Sequence, residues 1–217
     1  MSAPIVTVVD YGIGNLYSVQ RACETCGASV VLTADVETIA SAERLILPGV
    51  GAFSDGMAGL RERELVEPLR RFAASGRPLL GICLGMQLLA DTSEEFGVHE
   101  GLGLIHGRVV QISPTTTEGK RHHIPRVGWT ALEPVPTSSW DGTPLRTTER
   151  GASVYLVHSY HVVCDDPAEV LAVSEYGGHQ LVSAIRAANV VGFQFHPERS
   201  GPEGLRILKS FVTDATH

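Results

Sequence analysis

The stretch Leu79-Leu80-Gly81-Ile82-Cys83-Leu84-Gly85-Met86-Gln87 constrains this chain more than any other. An apolar run ends in Gly-x-Cys-x-Gly, and a helix-forming run follows. A strand that stops there, turns sharply and enters a helix holds the cysteine at the top of the turn, which is the layout of a nucleophile elbow. Small residues at 81 and 85 let the backbone close that tightly. Far downstream, Gly192-Phe193-Gln194-Phe195-His196-Pro197-Glu198 adds an imidazole and a carboxylate. The two segments point to a cysteine-nucleophile enzyme.

The first half of the chain alternates strand and helix. Ile5–Val9 is a β-branched run, and Leu16–Cys26 reads as a helix with Asn15 as N-cap and Gly27 as stop. Ser29–Leu32 and Arg44–Leu47 read as strands around a short helix at Val36–Ala40. Arg61–Ala74 reads as one helix ended by Gly76 and Pro78, and Leu79–Ile82 is the strand that feeds the elbow. Short apolar strands separated by helices imply a parallel sheet buried on both faces, hence a doubly wound α/β class. In the second half Arg108–Ile112, Val154–Val157, Tyr160–Val163, Val170–Val173, Val182–Ile185 and Val190–Phe195 are strands with few helices between them. They predict a smaller antiparallel extension before the chain rejoins the main sheet at Val190. Gly204–Val212 reads as a closing helix, and Glu133–Arg150, rich in Pro, Ser, Thr and Gly, as a surface loop. No linker divides the chain, so its 217 residues are expected to form a single domain.

The net charge of −7 offers no basic stripe to neutralise phosphates, which argues against general nucleic-acid binding. No apolar run reaches membrane-spanning length. The N-terminus lacks the marks of a secretory signal, and Cys23, Cys26, Cys83 and Cys164 do not resemble a disulfide framework. A cytoplasmic protein is the expectation.

A thiol attacks well only as thiolate. The N–H groups of the helix that follows Cys83 favour negative charge there. His196 is the candidate base, and Glu198 the candidate that orients it. Pro197 pushes His196 into an extended conformation, so residues 196 and 198 are expected on one face at the end of the Val190–Phe195 strand. In a parallel sheet the carboxyl ends of strands form the ligand crevice, and Cys83 and His196 both fall there.

These segments resemble the class I, or triad, glutamine amidotransferases, in which a G-x-C-x-G elbow and a late H-P-E motif carry the Cys, His and Glu. The resemblance runs from Val9 to about Ser200. It is closest to the branch that serves histidine biosynthesis. The features that carry this are Asp10-Tyr11-Gly12-Ile13-Gly14-Asn15, Pro48-Gly49-Val50-Gly51-Ala52-Phe53, Met86 within the elbow, Ser93-Glu94-Glu95 and Gly101-Leu102-Gly103-Leu104-Ile105. Two places depart from the family pattern: Thr130 stands where Asn is common, and the Glu133–Arg150 loop is irregular.

The resemblance implies a flavodoxin-like fold and hydrolysis of glutamine through a γ-glutamyl thioester on Cys83. It implies an oxyanion hole made by the backbone of Leu84 and of the Pro48–Gly51 loop, with Val50 the second donor and Gly49 beside it. Gln87 and Glu95 would hold the α-amino and α-carboxylate ends of glutamine, with Gly51, Ser159 and Tyr160 also lining the pocket. No cofactor or metal is implied. The implied partner is a cyclase subunit of (βα)₈-barrel type that receives the ammonia, with Tyr155 near the docking face. The glycines around Val50 would let that loop switch between a resting and an active orientation. Other triad amidotransferase subunits of the chorismate-using type, a stand-alone γ-glutamyl hydrolase, and a non-catalytic binding subunit are the competing classes.

Other motifs carry less. Gly12-x-Gly14 lacks a third glycine, position 17 being Tyr17, so a nucleotide loop is disfavoured and Asn15 caps the helix or contacts the oxyanion loop. Cys23-x-x-Cys26 has no second pair to complete a metal site. His122, His123, His158 and His161 read as surface and core-edge histidines, and Arg61–Arg71 as a solvated helix face.

Overall fold

The computed structural model describes residues 3–213. In chain order the first half runs β1 (Ile5–Val9), α1 (Leu16–Thr25), β2 (Ser29–Thr33), α2 (Val36–Ser41), β3 (Leu45–Leu47), α3 (Phe53–Glu62), α4 (Val66–Ala74), β4 (Leu79–Ile82) and α5 (Leu84–Leu88). Then come β5 (Ala90–Ser93), β6 (His99–Glu100), β7 (Ile105–Gln111), β8 (Arg126–Ala131) and β9 (Glu133–Pro134). The chain closes with β10 (Ser153–His158), β11 (Tyr160–Cys164), β12 (Val170–Tyr176), β13 (His179–Ala187), β14 (Val190–Phe193) and α6 (Gly201–Thr213).

The main sheet has the order β2-β1-β3-β4-β14-β13-β12-β9. It is parallel from β2 to β14 and antiparallel beyond. The central strands bury side chains of both parities, which is why they read as continuous apolar runs. Val6, Val8, Ile46, Leu80, Ile82 and Phe193 face α1 and α6, against Val19, Cys23, Ile207 and Phe211. Val9, Leu45, Leu47 and Leu79 face α3 and α4, against Met57, Leu60, Leu69 and Phe72. This is the expected mixed, mainly parallel sheet with helices on both faces.

The antiparallel extension is present, but not all of the second-half strands join it. β11, β7, β5 and β6 form a separate four-stranded sheet, and β10 with β8 a two-stranded ribbon. The single helix expected over Arg61–Ala74 is two. Glu64 adopts φ 57° between α3 and α4, and the Leu65 amide donates back to Leu60 across 2.8 Å, which lets fully buried Leu65 turn into the core. The segment 133–150 is largely irregular, as expected, yet Leu145 is fully buried and the Trp140 indole donates to the Leu171 carbonyl at 2.8 Å. It is a cover over the core rather than a free loop. Asn15 caps α1 by accepting from the Ser18 amide at 3.3 Å.

Candidate active site

The elbow forms as the spacing predicts. Cys83 sits between β4 and α5 with φ 55° and ψ −109°, a left-handed conformation that costs a non-glycine residue of order 1–3 kcal/mol. The turn closes because its flanks are glycine. A Cβ on Gly81 would meet the Gly85 carbonyl, and one on Gly85 would run into the Leu47 carbonyl on β3. β14 lies beside β4 in parallel, so the segment after Phe193 emerges at the same edge of the sheet as the elbow.

His196 and Glu198 meet, though not as an extended pair. His196 is extended (φ −97°, ψ 94°), as the following proline requires, but Pro197–Arg199 is one turn of 3₁₀ helix. That turn, not strand alternation, swings Glu198 Oε1 to 2.8 Å from His196 Nδ1, with both side chains almost fully buried. Nδ1 therefore carries the proton and donates to the carboxylate, and Nε2 is left as a buried nitrogen without a hydrogen-bond partner. Burial alone would lower the pKa of His196. Interaction with Cys83 and with Glu198 outweighs it and holds the imidazolium up to about 10. The imidazole is thus tuned to keep a proton taken from the thiol. Ser200 fixes this turn, its hydroxyl donating to the His196 carbonyl at 2.7 Å and accepting from the Tyr155 amide at 3.0 Å.

A cleft of about 270 Å³ opens over the thiol. Val50, Gly51, Cys83, Leu84, Gln87, Glu95, Ser159, Tyr160 and His196, all singled out from the sequence, line it together. Gly49 and Glu198 are not part of this lining but bond residues that are, Leu84 and His196. Pro125, Val157 and His158 also line the cleft and were not foreseen. Glu95 is buried and accepts from the Phe53 amide at the start of α3, at 2.7 Å. Gln87 spends both amide hydrogens, one on the Tyr160 carbonyl at 2.9 Å and one on Gln194 Oε1 at 3.0 Å. In this arrangement Gln87 and Glu95 both offer a ligand acceptor oxygens, which suits an ammonium rather than a carboxylate. The thiol itself lies 4.0 Å from the Val157 carbonyl and 3.8 Å from Gln194 Nε2.

His158 backs the site in the opposite electrostatic state from His196. Its Nδ1 donates to the Tyr160 carbonyl at 2.9 Å, and burial pushes its pKa down to about 3. It is a neutral imidazole at any ordinary pH.

The loop before α3 is closed off. The Leu84 amide donates to the Gly49 carbonyl at 3.3 Å, and the Tyr11 hydroxyl donates to the Pro48 carbonyl at 2.6 Å. A peptide plane carries its N–H opposite its C=O. With the Gly49 carbonyl turned toward Leu84, the Val50 N–H therefore points away from it. Gly51, next along, takes φ 103°, and nothing lies within 4 Å of where its Cβ would stand.

Of the discounted motifs, Cys26 donates to the Leu205 carbonyl at 3.3 Å, and Cys23 is buried beside it. Among the described residues no group of three His, Cys, Asp or Glu side chains is placed to hold a metal, and no helix is long and apolar enough to cross a membrane.

Comparison with known proteins agrees with this geometry. The family model for glutamine amidotransferase class-I matches residues 7–215. The chain is 48% identical over 210 residues to imidazole glycerol phosphate synthase subunit HisH 1 of Legionella pneumophila, covering 95% of this chain and 98% of that one. It is 43% identical over 208 residues to the HisH subunit of Sulfurimonas denitrificans, covering 96% and 97%. Among solved structures, PurLQS from Thermotoga maritima shares the fold with a TM-score of 0.73 at 23% identity, over 97% of this chain and 98% of that chain. An elbow cysteine, a carboxylate-bound histidine and this match over nearly the whole length have one reading: the chain belongs to the class-I glutamine amidotransferase family.

Proposed function

We propose that this chain is the glutaminase subunit of an imidazole glycerol phosphate synthase. His196 Nε2 takes the thiol proton, and Cys83 Sγ attacks the side-chain amide carbon of glutamine. The tetrahedral oxyanion is held by the Leu84 and Val50 N–H groups, and the proton on His196 goes to the departing ammonia. Water then attacks the γ-glutamyl thioester and frees glutamate, which restores the thiol. Glu95 and the Gln87 oxygen take the substrate α-ammonium, and Ser159 and Tyr160 lie on the side left for its carboxylate. The ammonia passes to a cyclase subunit of (βα)₈-barrel type, where PRFAR becomes imidazole glycerol phosphate and AICAR. Exposed Trp129 and half-buried Tyr155, whose rings meet edge-on 6.1 Å apart, form the surface offered to that partner. The Tyr155 carbonyl accepts from the His196 amide at 3.0 Å, so this face is one residue from the base.

The observation that carries the reading is the Gly49 carbonyl bound to the Leu84 amide. One oxyanion donor is occupied and the other turned away, so the isolated subunit rests switched off. Turning the Gly49–Val50 peptide would free the first donor and supply the second at once. A partner that favours the turned state would activate the glutaminase by shifting that equilibrium.

The test is glutamine turnover by the purified chain, alone and with the cyclase subunit loaded with its nucleotide, with Cys83→Ala as the blank. Low turnover alone and strong activation by the loaded cyclase is the expected result. Equal turnover in both states would reject the gating and favour a free-standing hydrolase.

A further inference from the structure

Gln194 has no exposed surface, yet it lies in the middle of the site. Its neighbours Phe193 and Phe195 stack with ring centroids 4.7 Å apart inside the core. Alternation along the chain turns Gln194 to the opposite side, toward the elbow. Its backbone amide is held by the Ser183 carbonyl at 3.0 Å. A fully buried carboxamide is costly unless both its ends are matched. Here the ends are matched by Gln87 Nε2, 3.0 Å from Oε1, and by Cys83 Sγ, 3.8 Å from Nε2.

The polarity of this chain of groups is fixed from one end. The Tyr160 carbonyl can only accept, so the Gln87 nitrogen must face it. That same nitrogen then donates to Gln194, so Gln194 must present its oxygen there. What remains to face Cys83 is the Gln194 N–H. Reversing the Gln194 amide would set two NH₂ groups against each other and aim an oxygen at the sulfur. A neutral thiol is a weak acceptor, whereas a thiolate accepts strongly. A donor fixed on the sulfur is therefore worth more after the proton has left than before, which is the difference that speeds a reaction.

We infer that Gln194 is a further catalytic residue: its carboxamide, oriented by Gln87, holds the attacking sulfur of Cys83 and stabilises its deprotonated form. The inference rests on Cys83 being the nucleophile. Gln194 also ties the substrate pocket to the nucleophile, since Gln87 touches both.

Alkylation of Cys83 by iodoacetamide across a pH series, followed by mass spectrometry of the full chain, tests this without requiring turnover. Gln194→Glu keeps an acceptor for Gln87 and replaces the donor facing the sulfur. Gln194→Met removes both. Both variants are checked for folding by thermal melts. For folded variants, Cys83 alkylation near neutral pH is expected to slow about tenfold, with the pH profile displaced upward by about one unit. Gln194→Glu should leave the KM for glutamine within about threefold while kcat falls, because the pocket side of the amide is kept. A folded variant with the wild-type pH profile overturns the inference. If Gln194→Met fails to fold, Gln194→Glu decides alone. A wild-type protein whose Cys83 alkylates readily but which turns over no glutamine with any partner would sink the glutaminase reading and leave this inference standing.

Discussion

The Leu84 amide and the Gly49 carbonyl are joined by a 3.3 Å hydrogen bond across the mouth of the elbow. The amide proposed to bind the developing negative charge is thus occupied by a carbonyl of the same chain. Val50→Pro removes the N–H that would replace that carbonyl. Losing one oxyanion donor costs about 10²–10³ in kcat. Steady-state turnover of the variant with its loaded partner is expected to fall in that range, with Cys83 alkylation little changed. A variant within threefold of wild type would assign the second donor elsewhere.

Cys83 is held at φ 55°, where glycine is at ease and any side chain is strained. Cys83→Gly should therefore be inactive yet more stable than Cys83→Ala by about 1 kcal/mol, after allowing for the greater freedom of glycine in the unfolded chain. Urea unfolding of the two variants measures this directly. Equal stabilities would mean that the elbow stores no strain.

Among the described residues Glu95 is the one carboxylate lining the cleft. Glu95→Gln keeps an acceptor for the Phe53 amide but gives up the charge proposed to face the substrate ammonium. A charge-assisted hydrogen bond is worth about 1.5–3 kcal/mol, so KM for glutamine should rise about 10- to 100-fold with a smaller effect on kcat. An unchanged KM would place the ammonium elsewhere in the cleft.

His158 makes the fold sensitive to acid. Its pKa falls from 6.5 to about 3 on folding, because the buried imidazole resists charge. The unfolded chain takes up a proton in that interval and the folded chain does not. The stability is complete above about 6.5 and is lost as the pH falls toward 3. His158→Gln should flatten the acid side of the stability curve, by up to about 1.4 kcal/mol per pH unit, even though its stability at neutral pH is lower. Unfolding titrations at several pH values give the two slopes, and parallel slopes would contradict this account.

The elbow was legible because Gly-x-Cys-x-Gly after an apolar run has few other uses. The 3₁₀ turn that joins His196 to Glu198 was not. The chemistry of the pair could be read from residue types, but strand alternation is only one of two ways to bring residues 196 and 198 together. Helix α3 was hidden by Gly56 and Gly59, which weaken helical propensity. Packing demands them, since a Cβ at 59 would strike the Tyr11 carbonyl and one at 56 would press on Leu84 and Leu88. The break at Glu64 was announced by Pro68, which stands in the first turn of α4 and has no N–H to give the Glu64 carbonyl; the burial of Leu65 fixes its shape. Gln194 stood in plain view within the His196 segment, and its alternation with Phe193 and Phe195 was the available signal.

The order β3-β4-β14-β13 places the last strand among the described residues at the heart of its sheet. The strand that leads to the proposed base His196 is made about half a chain after Cys83, on the order of ten seconds of synthesis. Until β14 slots in beside β4, none of His196, Gln194 and Glu198 stands near the sulfur. A chain without β14 would therefore lack the proposed base, and closing the sheet is what would complete the triad.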